Sequence, residues 1–507
     1  MSFLAALQQK NLDYVLSEHQ FQPVVPQNGD KFADLFSTIV ERGLKVYIDY
    51  DCDPDGYFSA LALVDSFKMV HFTNYSLVKH EHKRHVLSDA YVASLARSDN
   101  DVIFILDSST NDMNNLTLLA EHGKKVCVVD HHEPKYRFSE YPANVVIVNP
   151  CIDKEMADVC YGCLSCGAVM SLLCAFTLQT RFHIKPPLDL YLYGVVTMYS
   201  DIMDMRNSYN IAFVTRYQNT KIIDSKLIKL FFDERYDHFD RSYISFKLIP
   251  RLNSLFRTES FNLLYKLFFT PEEIDYDVIR QQIEMHYAEC KKYTQKLIDE
   301  CSVIEYPKFV LSKLKDNSGE FAKNFTGLVA SNLSSVYNKA VVCLCATTPV
   351  MWQGSVRDPF SRDLLSLMRP ICYAEGHSSA FGIHVDARDL DMVVVMLGTV
   401  MADLEDMSDT VILVDWDKKD RDNIAAEMQQ MAEYNEFGGQ GLPIAMGAIT
   451  VKPSYKIYQD PRKISVYGEG QRFLCLVPTV DVGDVLLVKP TLSGAGYTNF
   501  VNNVHLR

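Results

Sequence analysis

The chain has 507 residues, 48% of them apolar, and a formal net charge of -14 at pH 7. That length exceeds what one hydrophobic core supports and predicts about two to four domains. The lack of a long polar low-complexity tract predicts that they are folded throughout. No apolar run approaches the roughly 18 residues of a membrane helix, and the acidic balance works against nonspecific nucleic-acid binding without excluding a basic groove.

Met1 to Lys10 has no basic region leading into a long apolar core, which predicts a cytoplasmic protein without a secretion signal. Residues 1–40 read as a cover for the first sheet. The run Leu44, Val46, Tyr47, Ile48 then predicts a buried strand, and Phe58, Leu61, Val64 and Phe67 predict an amphipathic helix. Between them lies Asp49 to Gly56, D-Y-D-C-D-P-D-G. Asp49, Asp51, Asp53 and Asp55 repel one another unless cations neutralise them. A strand-to-helix loop of an α/β sheet sits at the ligand-binding edge, and Gly56 gives the backbone room to turn. Hard oxygen donors in this number suit Mg²⁺ or Mn²⁺ better than zinc, and no EF-hand glutamate follows to suit calcium.

His80-Glu81-His82-Lys83-Arg84-His85 is a dense cationic cluster, most simply a solvated loop but also a candidate for phosphate contact. Val102 to Leu106 predicts a strand ending in Asp107, and Val126 to Val129 another ending in Asp130-His131-His132. Val145 to Val148 leads to Asn149-Pro150, and the apolar run Leu190 to Tyr199 leads to Asp201. A single Asp in such a place is better read as a helix cap. Three acidic or imidazole endings within about 85 residues exceed what capping explains.

Thirteen cysteines, an odd number spread through apolar segments such as Val341 to Cys345, fit reduced thiols better than a disulfide framework. Cys160-Tyr161-Gly162-Cys163-Leu164-Ser165-Cys166 has a spacing superficially like an iron–sulfur ligand set, but no Cys-Pro completes it. It reads as a small-residue stretch before a packed helix. Further on come Pro250-Arg251-Leu252-Asn253 with Arg257, and a helical pattern over 271–300 with Pro271 in its first turn. Then follow Gly327-Leu328-Val329-Ala330, Gly354-Ser355-Val356-Arg357 and Gly376-His377-Ser378-Ser379-Ala380-Phe381-Gly382. From about residue 408 short strands alternate with Gly and Pro, predicting a small β-barrel. Tyr455, Tyr458, Tyr467 and Phe473 there are candidate base-stacking groups, although strand aromatics are more often core.

These residues resemble the DHH phosphoesterases, and among them the RecJ-type single-strand-specific exonucleases. Asp51-Cys52-Asp53-Pro54-Asp55-Gly56 is similar to their D-x-D-x-D-G, Asp107 to the lone second-motif Asp, Asp130-His131-His132 to the name-giving motif and Asp201 to the fourth. Residues 250–257 are similar to P-R-L-N-x-x-G-R with Phe256 in place of Gly, and residues 375–382 to G-G-H-x-x-A-x-G with Glu375 in place of the first Gly. The resemblance implies an α/β fold: a parallel-sheet DHH catalytic domain with an N-terminal cover (1–258), a helical connector (259–300), a DHH-associated substrate-binding domain (301–407) and an OB-like β domain (408–507). It implies two Mn²⁺ or Mg²⁺ ions. Asp53 and Asp107 hold one, and Asp55, Asp107, His131 and Asp201 the other, with Asp107 as the bridge. Asp51 belongs to the same motif, and Asp49 occupies the place of a metal-binding His in several members, so both are candidate ligands. Asp130 then orients an imidazole, and His132 faces the scissile phosphate.

Ser355 and Arg357 match the S-x-R element of the family's 5′-phosphate pocket, and Arg84 falls near an Arg with the same duty. His85, Arg251, Asn253, Arg257, Gly376 and His377 complete the candidate substrate-binding set. The implied activity is 5′ to 3′ removal of mononucleotides from single-stranded DNA in repair or recombination, with RNA and replication or recombination proteins left open as further partners. Two rivals stand beside it. A phosphodiesterase for short oligonucleotides or cyclic dinucleotides would not need the P-R-L-N segment or the C-terminal β region, and a noncatalytic scaffold would not need an intact ligand set.

Overall fold

The structure, a computed structural model, describes residues 1–17, 19–79, 87–152, 164–218, 220–221, 223–232, 238–273, 275–315, 320–337, 339–359, 362–402, 411–437, 442–460, 463–475, 480–493 and 496–505. It divides into two compact units, Glu18–Tyr287 and Met1–Ser17 with Ala288–Arg507. No described helix is long and apolar enough to cross a membrane.

In the unit Glu18–Tyr287, strands β1 (Val46–Tyr50), β2 (Tyr75–Lys79), β3 (Val102–Leu106), β4 (Lys125–Val129) and β5 (Val145–Val148) form a sheet in the order β2-β1-β3-β4-β5. Every pairing is parallel. A parallel sheet is covered on both faces, which is why β3 reads as the unbroken apolar run Val-Ile-Phe-Ile-Leu. On one face Val92 and Leu95 of helix Asp89–Arg97 and Leu116 and Leu119 of helix Met113–Glu121 pack on Ile103, Ile105, Val126 and Val128. On the other, Phe32 of helix Gly29–Arg42 meets Phe104 edge-on at 6.0 Å, and Phe36 stacks on Phe67 at 4.6 Å. The chain leaves β1 for β2 on one side and comes back to β3 on the other. The carboxyl ends of β1 and β3 therefore flank a topological switch point, where open α/β sheets bind ligands.

Helix Pro54–Met69 departs from the amphipathic expectation. It is buried continuously from Pro54 to Val64, because helices Cys166–Arg181 and Leu188–Ser200 pack against it as β1 does. Residues 250–257 also lie inside a helix, Ile249–Arg257, so no turn forms where Phe256 replaces Gly; Phe256 instead meets Tyr57 edge-on at 5.0 Å. The long helix is Tyr276–Glu300, with Ile279, Ile283, Cys290 and Leu297 buried. Pro271 sits in a separate one-turn segment, Pro271–Glu273.

The second unit carries two sheets. The first has strands β6 (Ser302–Glu305), β7 (Phe309–Lys313), β8 (Ala340–Thr348), β9 (Met351–Arg357), β10 (Tyr373–His377) and β11 (Ala380–Asp386) in the order β10-β11-β9-β8-β7-β6. Val329, Ala330 and Leu333 of helix Thr326–Tyr337 pack on one face, and helices Leu364–Met368 and Leu390–Ala402 on the other.

The remaining sheet comprises β12 (Val411–Asp415), β13 (Ile444–Thr450), β14 (Lys456–Asp460), β15 (Lys463–Gly468), β16 (Gln471–Cys475), β17 (Val485–Ser493) and β18 (Gly496–His505). They pair in the open order β12-β13-β17-β18-β16-β15-β14. This region is not strands alone. Helix Arg421–Tyr434, capped by Asp420, lies between β12 and β13 in the chain and buries Ile424, Met428 and Met431 at helical spacing. Residues 1–17 belong with this unit. The Phe3 N–H donates to Glu427 Oε1 at 3.0 Å, and Phe3 meets Tyr434 edge-on at 5.6 Å. The buried Glu427 carboxylate needs such donors, and Trp416 Nε1 and Lys419 Nζ supply two more.

Candidate metal centre

The acidic stretch straddles the end of β1. Asp49 is still in the strand, Asp51 follows it, and Asp53 is the N-cap of helix Pro54–Met69, accepting from the N–H groups of Asp55 at 3.0 Å and Gly56 at 3.2 Å. Pro54 suits the first helical position because no N–H is needed there. Gly56 is required by close approach: a Cβ would lie 2.4 Å from the Asp51 carbonyl oxygen. Asp55 is wholly buried and pinned by a second helix, whose first N–H groups, Cys166 at 2.8 Å and Gly167 at 2.7 Å, donate to its two oxygens. The positive end of helix Cys166–Arg181 thus faces a carboxylate.

Asp107 ends β3 in the left-handed region, φ 64°, a conformation costly for a non-glycine residue and typical of functional sites. Its N–H is tied to the Val129 carbonyl at 2.8 Å. At the end of β4, Asp130 Oδ1 accepts from the His131 N–H at 2.7 Å and from His132 at both its backbone N–H and Nδ1, the latter at 2.7 Å, while Oδ2 accepts from the Thr110 N–H. The imidazole that Asp130 orients is therefore that of His132. Asp201 arrives from a helix C-cap, after Leu188–Ser200.

These groups converge. His131 Nε2 lies 3.4 Å from Asp107 Oδ1, 3.5 Å from Asp201 Oδ2 and 3.6 Å from Asp55 Oδ2. Three donor sets have ligand atoms within 4.8 Å of one another: Asp51, Asp53 and Asp107; Asp55, His131 and Asp201; and Asp107, His131 and His132. Asp107 belongs to two of them. Burial, then the charges of Asp201 and Asp53, push the Asp55 carboxyl well above its ordinary range, and burial with Asp55, Asp53, Asp201 and Asp51 does the same to Asp107. Asp130 runs the other way. Burial opposes its charge, but His132, by charge and hydrogen bond, and then His131 hold it well below the usual range. A buried carboxylate cluster whose members raise one another is relieved by divalent cations, and the oxygen-rich set with imidazole fits Mn²⁺ or Mg²⁺.

The other sequence candidates fall in different places. Asp49 is in none of the three donor sets; its Oδ2 accepts from Tyr91 OH at 2.5 Å, and Tyr91 contacts Tyr47 OH in turn. Arg84 and His85 lie outside the described residues, as do Cys160 and Cys163. Cys166 is a buried thiol 3.1 Å from the Val129 carbonyl.

Arg251 is buried, paired through Nε and Nη2 with Glu284 at 2.5 and 3.1 Å and laid over Tyr287 at 4.5 Å. Asn253 and Arg257 are half-buried in the same helix. Ser355 and Arg357 point from β9 toward the start of helix Thr326–Tyr337. Thr326 Oγ1 is 2.8 Å from Ser355 Oγ, and a Cβ on Gly327 would lie 2.7 Å from Arg357 Nη2. Gly376 and His377 are in β10.

Sequence reasoning missed Tyr91, Thr326 and the Cys166 and Gly167 N–H groups. The Gly327 motif marked the place of Thr326 and the small-residue run ending in Cys166 that of the two N–H groups, whereas no signal marked Tyr91.

Residues 44–195 match the DHH family, N-terminal domain. That stretch is a DHH domain. It holds every member of the three donor sets except Asp201. The chain is 23% identical over 466 residues, 83% of this chain and 77% of the relative, to the prophage-derived protein YorK of Bacillus subtilis (strain 168), named provisionally as a single-strand DNA-specific exonuclease. Its fold is that of RecJ from Thermus thermophilus. The Mn²⁺ complex of that protein superposes with TM-score 0.76 at 16% identity, covering 99% of this chain and 75% of that one, and the Mg²⁺ complex with TM-score 0.70 at 14% identity, covering 99% and 74%. The DHH domain and the α/β architecture expected from the sequence are both present.

Proposed function

We propose that this chain is a metal-dependent exonuclease that removes mononucleotides from single-stranded DNA in the 5′ to 3′ direction. The sharing of Asp107 between two donor sets at the switch point of a RecJ-like sheet carries this reading. Asp51, Asp53 and Asp107 would hold one divalent ion and Asp55, Asp107, His131 and Asp201 a second, with Asp49 beside them fixing Tyr91. When bound, such a pair activates water and stabilises in-line displacement at phosphorus. Asp130 fixes His132 through Nδ1, so the ring meets an oxygen of the scissile phosphate through Nε2.

Ser355 and Arg357, with Arg84, hold the 5′-terminal phosphate, which carries more charge than an internal diester and rewards an Arg fork. His85, Asn253, Arg257, Gly376 and His377 complete the strand path, and Arg251 positions the helix that carries Asn253 and Arg257. Such an activity belongs in the cytoplasm, in DNA repair or recombination.

The test is Mn²⁺-dependent hydrolysis of single strands labelled at either end, beside RNA, dinucleotides and cyclic dinucleotides. Early release of the 5′ mononucleotide is expected. Release from the 3′ end first, or turnover of dinucleotides alone, overturns the proposal.

A further inference from the structure

Glu375 stands where the resembling family has glycine, and Gly376 beside it takes φ 136°. β10 pairs with β11 in unbroken register, Glu375 opposite Gly382, and Gly382 in turn opposes Ser355 of β9. Directly opposed residues share a face, so Glu375, Gly382 and Ser355 form one row on the face that carries Arg357. Between the outer two there is no side chain. That leaves a slot about 10 Å wide, two strand spacings, floored by glycine.

The neighbouring row is Tyr373, His384 and Gln353. Tyr373 and His384 stack at 5.0 Å, Tyr373 is 58% exposed, and its hydroxyl donates to Glu375 Oε2. That bond holds the carboxylate in place and keeps the aromatic pair beside it. Burial, then the charge of Lys323, holds the His384 imidazole below its ordinary range, against the opposing charge of Glu375. One end of this face therefore offers Arg357, Ser355 and Thr326 to an anion, and the other offers an aromatic platform and an acceptor-only group.

We propose that this face reads the base of the 5′-terminal nucleotide and prefers guanine, through paired hydrogen bonds from the guanine N1–H and N2–H to the Glu375 carboxylate. The proposal rests on the phosphate role given above to Ser355 and Arg357. Guanine is the standard base with two adjacent donors on that edge. Adenine and cytosine place an acceptor beside their amino group, and thymine flanks its single N–H with two carbonyls, so each sets a lone pair against the carboxylate. The span from phosphate to base edge of one nucleotide suits the two-strand separation, and the Tyr373 ring supplies a stacking surface.

The experiment measures binding of the four deoxynucleoside 5′-monophosphates to the full chain by calorimetry in EDTA, so that neither hydrolysis nor metal contributes. Deoxyguanosine monophosphate is expected to bind about tenfold more tightly than the other three, the low end for a bidentate contact at a half-exposed site. Glu375→Gly and Glu375→Gln should level the four affinities, and Arg357→Ala should weaken all four alike. Four equal affinities that still depend on Arg357 overturn this inference and leave the phosphate reading standing. A guanine preference that survives Glu375→Gly, or no binding of any of the four, also overturns it. A preference lost in Glu375→Gly but indifferent to Arg357→Ala upholds the base contact and rejects the phosphate reading.

Discussion

Asp107 Oδ1 and His131 Nε2, from the ends of adjacent strands, lie 3.4 Å apart, and the Asp107 oxygen is buried with no hydrogen-bond partner among the described residues. Leaving an acceptor this way is costly unless something else satisfies it. Like His131, Asp107 belongs to two donor sets, and it is the shared carboxylate, so its loss disturbs both of its sets. Asp107→Ala should therefore lower Mn²⁺-dependent hydrolysis by more than the about 100-fold associated with losing a group outside the ligand set, with the circular dichroism spectrum unchanged. Hydrolysis near the wild-type rate removes Asp107 from the centre.

Asp130 acts at one remove. Its Oδ1 holds His132 Nδ1 at 2.7 Å and two N–H groups as well, so an amide in its place both loses charge and presents the wrong atoms to some of these donors. Asp130→Asn should cost about 10- to 100-fold in activity. Because the folded carboxyl is held below its ordinary range, it adds stability that is present above about pH 4 and fades as pH falls toward the lower folded value. The acid midpoint of unfolding should thus move up in the variant, and an unmoved midpoint would show that the Asp130 charge is unimportant to the fold.

Asp55 and Asp107 have the opposite sign. Each is held above its ordinary range, so the folded metal-free protein binds more protons than the unfolded chain, and its stability falls as pH rises from about 4 to the raised folded values. Divalent ions compete with those protons. The rise in melting temperature on adding Mn²⁺ should be larger at about pH 8 than at about pH 6. Thermal scans with Mn²⁺ and with EDTA at both values decide this; equal gains would mean that the buried carboxyls do not meet the metal.

Arg251 is expected to matter for stability before substrate. Its guanidinium is used up by Glu284 and by the carbonyls of Phe246 and Lys247, and lies over Tyr287. Glu284 remains 43% exposed and can be rehydrated, so Arg251→Ala should cost about 1–2 kcal/mol, mostly stacking and charge-assisted hydrogen bonds. Urea unfolding should show the loss while KM for single-stranded DNA stays within about twofold. A large rise in KM without loss of stability would return Arg251 to the strand path.

The strands and the acidic residues after them were legible because both are local. A parallel strand buried on two faces must be apolar along its length, and a ligand site at the sheet's carboxyl edge must place its polar groups directly after it, so Asp51, Asp107 and Asp130-His131-His132 could be read in order. Periodicity carries no information about partners far away in the chain. Only tertiary structure placed Tyr91 on Asp49, the Cys166 and Gly167 N–H groups on Asp55 at separations of 111 and 112 residues, and Glu284 on Arg251. The N-terminal segment shows the same limit, since Phe3 finds Glu427 across 424 residues. Helix Pro54–Met69 looked half-exposed because its apolar residues recur at helical spacing, and burial of the rest depends on helices that arrive more than 100 residues later. Backbone patterning is decided by neighbours a few residues apart, whereas satisfying a buried carboxylate is decided by whichever donors the folded chain brings within about 3 Å.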